Sequence, residues 1–171
     1  RAAHVDIEAV PLVEAGYTAF SINHRATPRF HYPAAVEDAQ RAVRFVRHHA
    51  ADLGVDPERL GAVGGSSGGH LVCMLGVLAG EGEADSDSAV DGESASVQCV
   101  VARAPVVDFA AMDASSFLNV RRRADGDPSS QEHRIAREAS PIHHVSPACP
   151  PFLLFHGDAD QRVPFEPTQR F

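Results

Sequence analysis

One short stretch restricts this chain more than any other. Residues 60–63, Leu-Gly-Ala-Val, read as a strand and run straight into Gly64-Gly65-Ser66-Ser67-Gly68-Gly69, after which residues 70–79 read as a helix. A Gly-x-Ser-x-Gly stretch between a strand and a helix is the context of a nucleophile-bearing turn. Such a turn is so tight that its serine takes strained backbone angles, and the residues around it must be small for strand and helix to approach. The serine Oγ then stands at the carboxyl edge of a sheet, with a helix N-terminus behind it that favours developing negative charge. The pattern fits twice. Gly64 to Gly68 places the nucleophile at Ser66, and Gly65 to Gly69 places it at Ser67. A phosphate-binding turn is the other use of a Gly/Ser loop here, but the lysine of a P-loop is absent, and the glycine spacing is not that of a dinucleotide fingerprint.

The rest of the chain reads as alternating strands and helices. Helical spacing runs over 5–15 and ends at Gly16, and 17–22 (Tyr-Thr-Ala-Phe-Ser-Ile) reads as a buried strand. Over 34–53, Val36, Ala39, Val43, Val46, Ala50 and Leu53 form one apolar stripe; Glu37, Asp38, Arg41, Arg44 and Arg47 take the opposite face, and Gly54 closes the helix. Residues 97–102 and 152–155 read as further strands and 129–139 as a helix, while 141–151 is Pro-rich and extended. Short, almost continuously apolar strands alternating with helices predict an α/β fold with a mostly parallel sheet, covered by helices on both faces. The expected organisation is a single partial domain over 1–171, with an acidic mobile loop over 80–96 and a small cap segment over 105–140.

Composition narrows the partners. Apolar residues are 44% and charged residues 22%, ordinary for a globular protein. The net charge is −8, and six acids lie in the loop over 81–93, without which the balance is about −2. Basic residues do not cluster against aromatics, so nucleic acid is not an expected partner. The longest apolar run, 71–79, is short for a membrane span and contains Gly76. Cys73, Cys99 and Cys149 are far apart among small or apolar neighbours and read as buried thiols, neither a disulfide framework nor a metal site. His143-His144 has no ligand spacing behind it, so no metal and no cofactor is expected.

A second candidate site follows the last strand: His156-Gly157-Asp158-Ala159-Asp160-Gln161-Arg162-Val163-Pro164. A carboxylate on this turn stands at the same sheet edge as the serine, and the order serine then acid suits a Ser…Asp…His triad. Either Asp158 or Asp160 fits, and the other is expected to bond local N–H groups.

Taken together, the elbow through Gly69-His70-Leu71, Ile22-Asn23-His24-Arg25, Tyr32-Pro33-Ala34-Ala35-Val36-Glu37-Asp38, Val55-Asp56-Pro57-Glu58-Arg59, Ser140-Pro141-Ile142, Pro150-Pro151-Phe152-Leu153 and His156-Gly157-x-x-Asp160-x-x-Val163-Pro164 resemble the α/β-hydrolases of the carboxylesterase and feruloyl/acetyl-xylan-esterase-like (BD-FAE-like) family. The resemblance covers nearly the whole chain in the family's order. It implies an α/β-hydrolase fold, Ser66 as nucleophile, the Ser67 N–H as an oxyanion donor, Gly64, Gly65, Gly68 and Gly69 as the elbow glycines, and Asp160 as the acid, with Asp158 shaping the turn. It implies a small-molecule ester as substrate. Three features depart from the family: His24 stands where a tyrosine is usual, no His-Gly-Gly-like oxyanion loop occurs, and residues 161–171 hold no histidine. The expectation is therefore a fold incomplete at both ends, lacking N-terminal strands and a C-terminal strand and helix, with the base and the oxyanion loop outside this stretch and little activity in the stretch alone. A prolyl-oligopeptidase-type serine peptidase shares the last turn but not the 32–38 motif, and a catalytically dead relative is the alternative if the reading frame stops at both ends.

Overall fold

The computed structural model describes residues 5–78, 80–82, 86–112, 118 and 129–171. Three parallel strands form its sheet among the described residues: β1 (Gly61–Gly65), β2 (Cys99–Arg103) and β3 (Phe152–Phe155), in that spatial order. The register aligns Gly65 with Arg103 and Arg103 with Phe155, so all three strands end at one edge. Each strand therefore delivers the residue that follows it to that edge.

Around the sheet the described residues form the helices α1 (Val5–Glu14), α2 (Ala34–His48), α3 (Ala50–Leu53), α4 (Ser67–Val77), α5 (Gln131–Glu138) and α6 (Phe165–Arg170). Helix α4 is the core element. From Gly69 to Val77 every residue is buried, because α4 lies between the sheet and α2. It sits close on the sheet at Gly76, where a Cβ would strike the Phe152 and Val100 side chains. The apolar stripe of α2 meets α4 through Val36 and Ala39, as its spacing predicts. A smaller cluster of Phe109, Leu118, Ala136 and Ala139 packs at the sheet's carboxyl edge.

The polar face of α2 also has a partner. Arg41 pairs with Asp91, the Arg44 guanidinium donates to the Glu81 and Glu93 carbonyls, and Arg47 donates to the Ser94 and Ser96 carbonyls. Three arginines one helical turn apart thus bind the acidic stretch, and Ala95 and Val97 are buried beside it.

Several expectations shift. Residues 17–22 form no strand: they pair with no described strand, and Tyr17, Phe20 and Ile22 are exposed. A strand exists only through its ladder, so β-propensity without a neighbour leaves irregular chain. The long helix over 34–53 breaks at His49 into α2 and α3. Helix α4 starts at Ser67, three residues before the apolar run that marked it, because glycines carry no apolar signal. The Pro-rich stretch holds a 3₁₀ turn at Pro141–His143. Of the three cysteines only Cys73 is buried; Cys99 is exposed at the start of β2, and all three are free thiols. Residues 113–117 and 119–128 of the 105–140 cap segment lie outside the described residues, as do 83–85 of the acidic loop. Among the described residues no helix is long and apolar enough to cross a membrane.

Candidate active site

The turn after β1 is built around Ser66. Its φ is +55° and its ψ is −118°, a region that side chains rarely occupy and that costs about 1–3 kcal/mol. The surroundings hold it there: the Ser66 N–H donates to the Arg103 carbonyl at 2.8 Å, and its carbonyl accepts from the His70 N–H at 3.0 Å. Ser67 is already the first residue of α4, so the strained position of the pair is Ser66. The Ser66 side chain is exposed, with no protein hydrogen bond among the described residues. Among the described residues the one other non-glycine with positive φ is Ala104 (+44°), just past the end of β2, whose N–H donates to the Phe155 carbonyl at 2.7 Å. Both strained residues thus flank the same sheet edge.

The four glycines are not equivalent. A Cβ on Gly64 would lie 2.6 Å from the backbone C and O of Gly68, and one on Gly69 would lie 3.1–3.2 Å from Pro105 and the Arg103 carbonyl. Gly65 faces chiefly the flexible Arg103 side chain, and Gly68 faces open space. The close approach of strand and helix thus rests on Gly64 and Gly69. Gly64→Ala is expected to remove the elbow geometry and destabilise the protein by about 3 kcal/mol or more. Gly68→Ala is expected to lie within about 1 kcal/mol of wild type, because it also gains helix propensity. Urea unfolding of both variants checks the contrast.

Asp160 rises from the same edge, two strands away, which at about 4.8 Å per strand sets the two turns about 10 Å apart. Its Oδ1 accepts from the Arg162 N–H at 2.8 Å and the Val163 N–H at 3.0 Å. These bonds, Val163's first, hold the Asp160 carboxyl below the usual carboxylate range. Oδ2 accepts no hydrogen bond among the described residues. Asp158 is exposed and makes none of these bonds. This corrects the expected division of labour, because Asp160 itself shapes the turn through Oδ1 and keeps Oδ2 free.

No hydrogen bond among the described residues joins a histidine ring to the Ser66 hydroxyl. His70, directly behind the elbow, is buried; it donates from Nε2 to the Ala139 carbonyl at 2.8 Å and meets the Phe109 ring edge-on. Burial pushes its pKa down to about 4 from 6.5, so it is a neutral staple between α4 and the end of α5. Its folded-state pKa is depressed, so in the pH window between 6.5 and 4 the unfolded chain binds a proton that the folded chain refuses. Stability is expected to fall as pH drops through that window, by on the order of 3 kcal/mol from this group. His70→Gln keeps a donor for Ala139 and cannot titrate. It should therefore flatten the dependence of the unfolding midpoint on pH; an unchanged slope contradicts this assignment. His144 donates to the Glu138 carbonyl at 2.8 Å. Burial and then Arg137 lower the pKa of His143.

Beside Ser67 lies a cavity of about 180 Å³, walled by Phe30, Tyr32, Leu71, Phe109 and Leu118, with His31 among the polar groups on its lining. Arg25 fixes the loop above it, donating to Asp38, Glu37 and the Ala34 carbonyl. Phe109 and Leu118 belong to the segment read as a cap over a pocket, whereas sequence reasoning missed the members from the 26–33 loop and α4. Only the fold brings them together. Among the described residues no group of three or more His, Cys, Asp or Glu side chains is arranged to hold a metal ion.

A strained serine between a parallel strand and a helix and a carboxylate thus stand at one edge of a parallel sheet, and the fold is that of the α/β-hydrolases. The chain belongs to the BD-FAE family, whose model matches residues 3–171. It is 29% identical over 164 residues to the probable carboxylic ester hydrolase LipM of Mycobacterium tuberculosis, covering 94% of this chain and 38% of that protein. It is 30% identical to the esterase LipQ of the same organism, with the same coverage. Among solved structures it resembles the acetyl ester-xyloside bifunctional hydrolase of Caldicellulosiruptor lactoaceticus, with a TM-score of 0.81 and 32% identity over 94% of this chain and 57% of that one. It also resembles a truncated carbohydrate esterase from gut microbiota, with a TM-score of 0.82 and 30% identity over 95% and 62% of the two chains. The chain thus spans well under half the length of these curated relatives.

Proposed function

We propose that the protein carrying this chain hydrolyses small carboxylic esters through an acyl-enzyme on Ser66. The observation that carries this reading is the Ser66 backbone, held in a strained conformation with its hydroxyl exposed at the edge where Asp160 also stands. Ser66 Oγ attacks the ester carbonyl carbon while a base takes its proton. The carbonyl oxygen becomes an oxyanion that accepts from the Ser67 N–H, favoured by the N-terminus of α4. Collapse breaks the bond to the alcohol oxygen, which leaves with the proton from the base. Water activated by the same base then attacks the acyl-serine and releases the acid. Asp160 Oδ2 orients the base and stabilises its imidazolium.

The base and the second oxyanion donor belong, in this reading, to chain beyond residues 1–171. His70 is engaged with Ala139, and His156 lies beneath the acid turn. The 180 Å³ cavity beside Ser67 receives part of the ester; it matches a group about the size of a benzene ring. The named activities of the relatives, carboxylic ester and carbohydrate ester hydrolysis, favour an ester over a peptide bond.

The test compares two purified proteins: residues 1–171 alone, and the product of the whole reading frame. The whole product is expected to hydrolyse p-nitrophenyl acetate. The 171 residues alone are expected to be slower by a factor of about 10⁴ or more, since each missing oxyanion donor costs about 10²–10³ and the base most of the remainder. Comparable turnover by both overturns the placement of the base, and inactivity of both overturns the enzymatic reading.

A further inference from the structure

We infer that His156 is the positioning residue of the acid: it fixes the turn that presents Asp160 Oδ2 to the catalytic base. The inference rests on the reading of Asp160 as the acid given above.

His156 is the first residue after β3, and its side chain is 1% exposed. Both ring nitrogens are used. Nε2 lies 3.1 Å from the Val163 carbonyl, which only accepts, so Nε2 carries the proton. Nδ1 lies 2.9 Å from the hydroxyl of Thr168, a buried residue of α6. The Phe165 ring meets the imidazole edge-on at 5.6 Å. The ring thus ties the end of a core strand to the helix that follows the acid turn.

Between these ties the backbone 157–163 arches over the ring, and Val163 is gripped on both sides. Its carbonyl accepts from His156 Nε2, and its N–H donates to Asp160 Oδ1. His156 therefore anchors the residue that anchors the acid. The bonds to Oδ1 leave the other oxygen over, and the His156 Nε2–H lies 3.6 Å from that Oδ2, measured from the nitrogen. This is too long for a hydrogen bond, yet close enough to set a positive N–H dipole behind the carboxylate. A buried ring with both nitrogens committed cannot reach out as the base, which is why the histidine nearest the acid is a support.

A support of this kind acts on kcat. Placing a catalytic group about 1 Å off costs about 10²-fold, while contacts with the bound ester are unchanged. In the product of the whole reading frame, His156→Leu is expected to lower kcat about 10²-fold with KM within about threefold. His156→Gln, whose side-chain amide replaces the Nε2–H toward Val163, is expected to restore kcat to within about fivefold. His156→Asn reaches only toward Thr168 and should stay low; this Gln/Asn pair decides the matter if the leucine variant does not fold. Val97→Ala, buried at the opposite end of the sheet, supplies a control that loses stability with kcat within about twofold of wild type. The inference is overturned if His156→Leu keeps its kcat, if Gln and Asn behave alike, or if Val97→Ala loses kcat in step with its melting temperature. Asp160→Asn separates this failure from that of the reading beneath it. Wild-type turnover in Asp160→Asn removes Asp160 as the acid. An inactive Asp160→Asn beside an active His156→Leu removes only His156. Absence of ester turnover in the unaltered protein overturns both.

Discussion

Ser66→Ala is expected to reduce ester hydrolysis by the whole gene product about 10⁶-fold, while Ser67→Ala stays within about tenfold of wild type. The difference follows from the turn. Ser66 holds the φ of +55° that aims its side chain outward at the sheet edge, whereas Ser67 is an ordinary first-turn residue whose contribution is its backbone N–H. Alanine at 67 keeps that N–H; alanine at 66 removes the only atom that attacks. Ser66→Ala also relieves little strain, because alanine is as uncomfortable at positive φ as serine, so its stability should change by less than about 1 kcal/mol. Steady-state kinetics on p-nitrophenyl acetate, read beside urea unfolding, separates loss of chemistry from loss of fold. An equal loss in both variants, or loss in Ser67→Ala alone, contradicts the assignment.

Asp160→Asn is expected to lower kcat about 10⁴-fold, as when a triad acid is made unable to hold its histidine in the right tautomer. Asp158→Asn should change kcat less than about threefold, because that carboxylate is exposed and takes no part in the turn's hydrogen bonds. The amide oxygen of the asparagine variant can still accept from the Arg162 and Val163 N–H groups, so the turn keeps its shape and the effect reads on chemistry. The low carboxyl pKa adds a second readout. Asp160 stabilises the fold above its unfolded pKa of about 4 and loses that contribution as pH falls through its lower folded value. The asparagine variant should therefore lose part of the acid sensitivity of the unfolding midpoint.

How far the sequence disclosed this site depends on the kind of residue. Turns whose geometry is local were legible. Gly64 through Gly69 and the turn from His156 to Pro164 each carry their geometry in a few neighbouring residues, and the apolar stripe of α2 follows its period. Positions fixed by distant contacts were not. Residues 17–22 have the composition of a strand but find no partner among the described strands, so composition alone misled. The start of α4 was hidden because Ser67, Gly68 and Gly69 are weak helix formers held by packing. The roles of Asp158 and Asp160 in shaping the turn were divided wrongly, because spacing shows two carboxylates and not which oxygen meets which N–H. The three-arginine grip on the acidic stretch was half visible: Arg41, Arg44 and Arg47 share a face, but the groups they bind lie about forty to fifty residues on.

Stability and site share the sheet edge. Helix α4 is buried along nearly its whole length, so the elbow sits on the buried core, while the acid turn after β3 is held by the bonds of Asp160 Oδ1 and the His156 imidazole. This arrangement accounts for a strained serine that persists: the Arg103 carbonyl, the His70 N–H and the Gly64–Gly68 contact all hold it, and relaxing it would unpack α4 from the sheet.

The most direct test of the central claim is to react the whole gene product with a fluorophosphonate and locate the adduct by peptide mass spectrometry. One phosphonylated residue is expected, Ser66, formed in step with loss of ester turnover. An adduct on Ser67 or elsewhere, or turnover that persists in fully labelled protein, would contradict it.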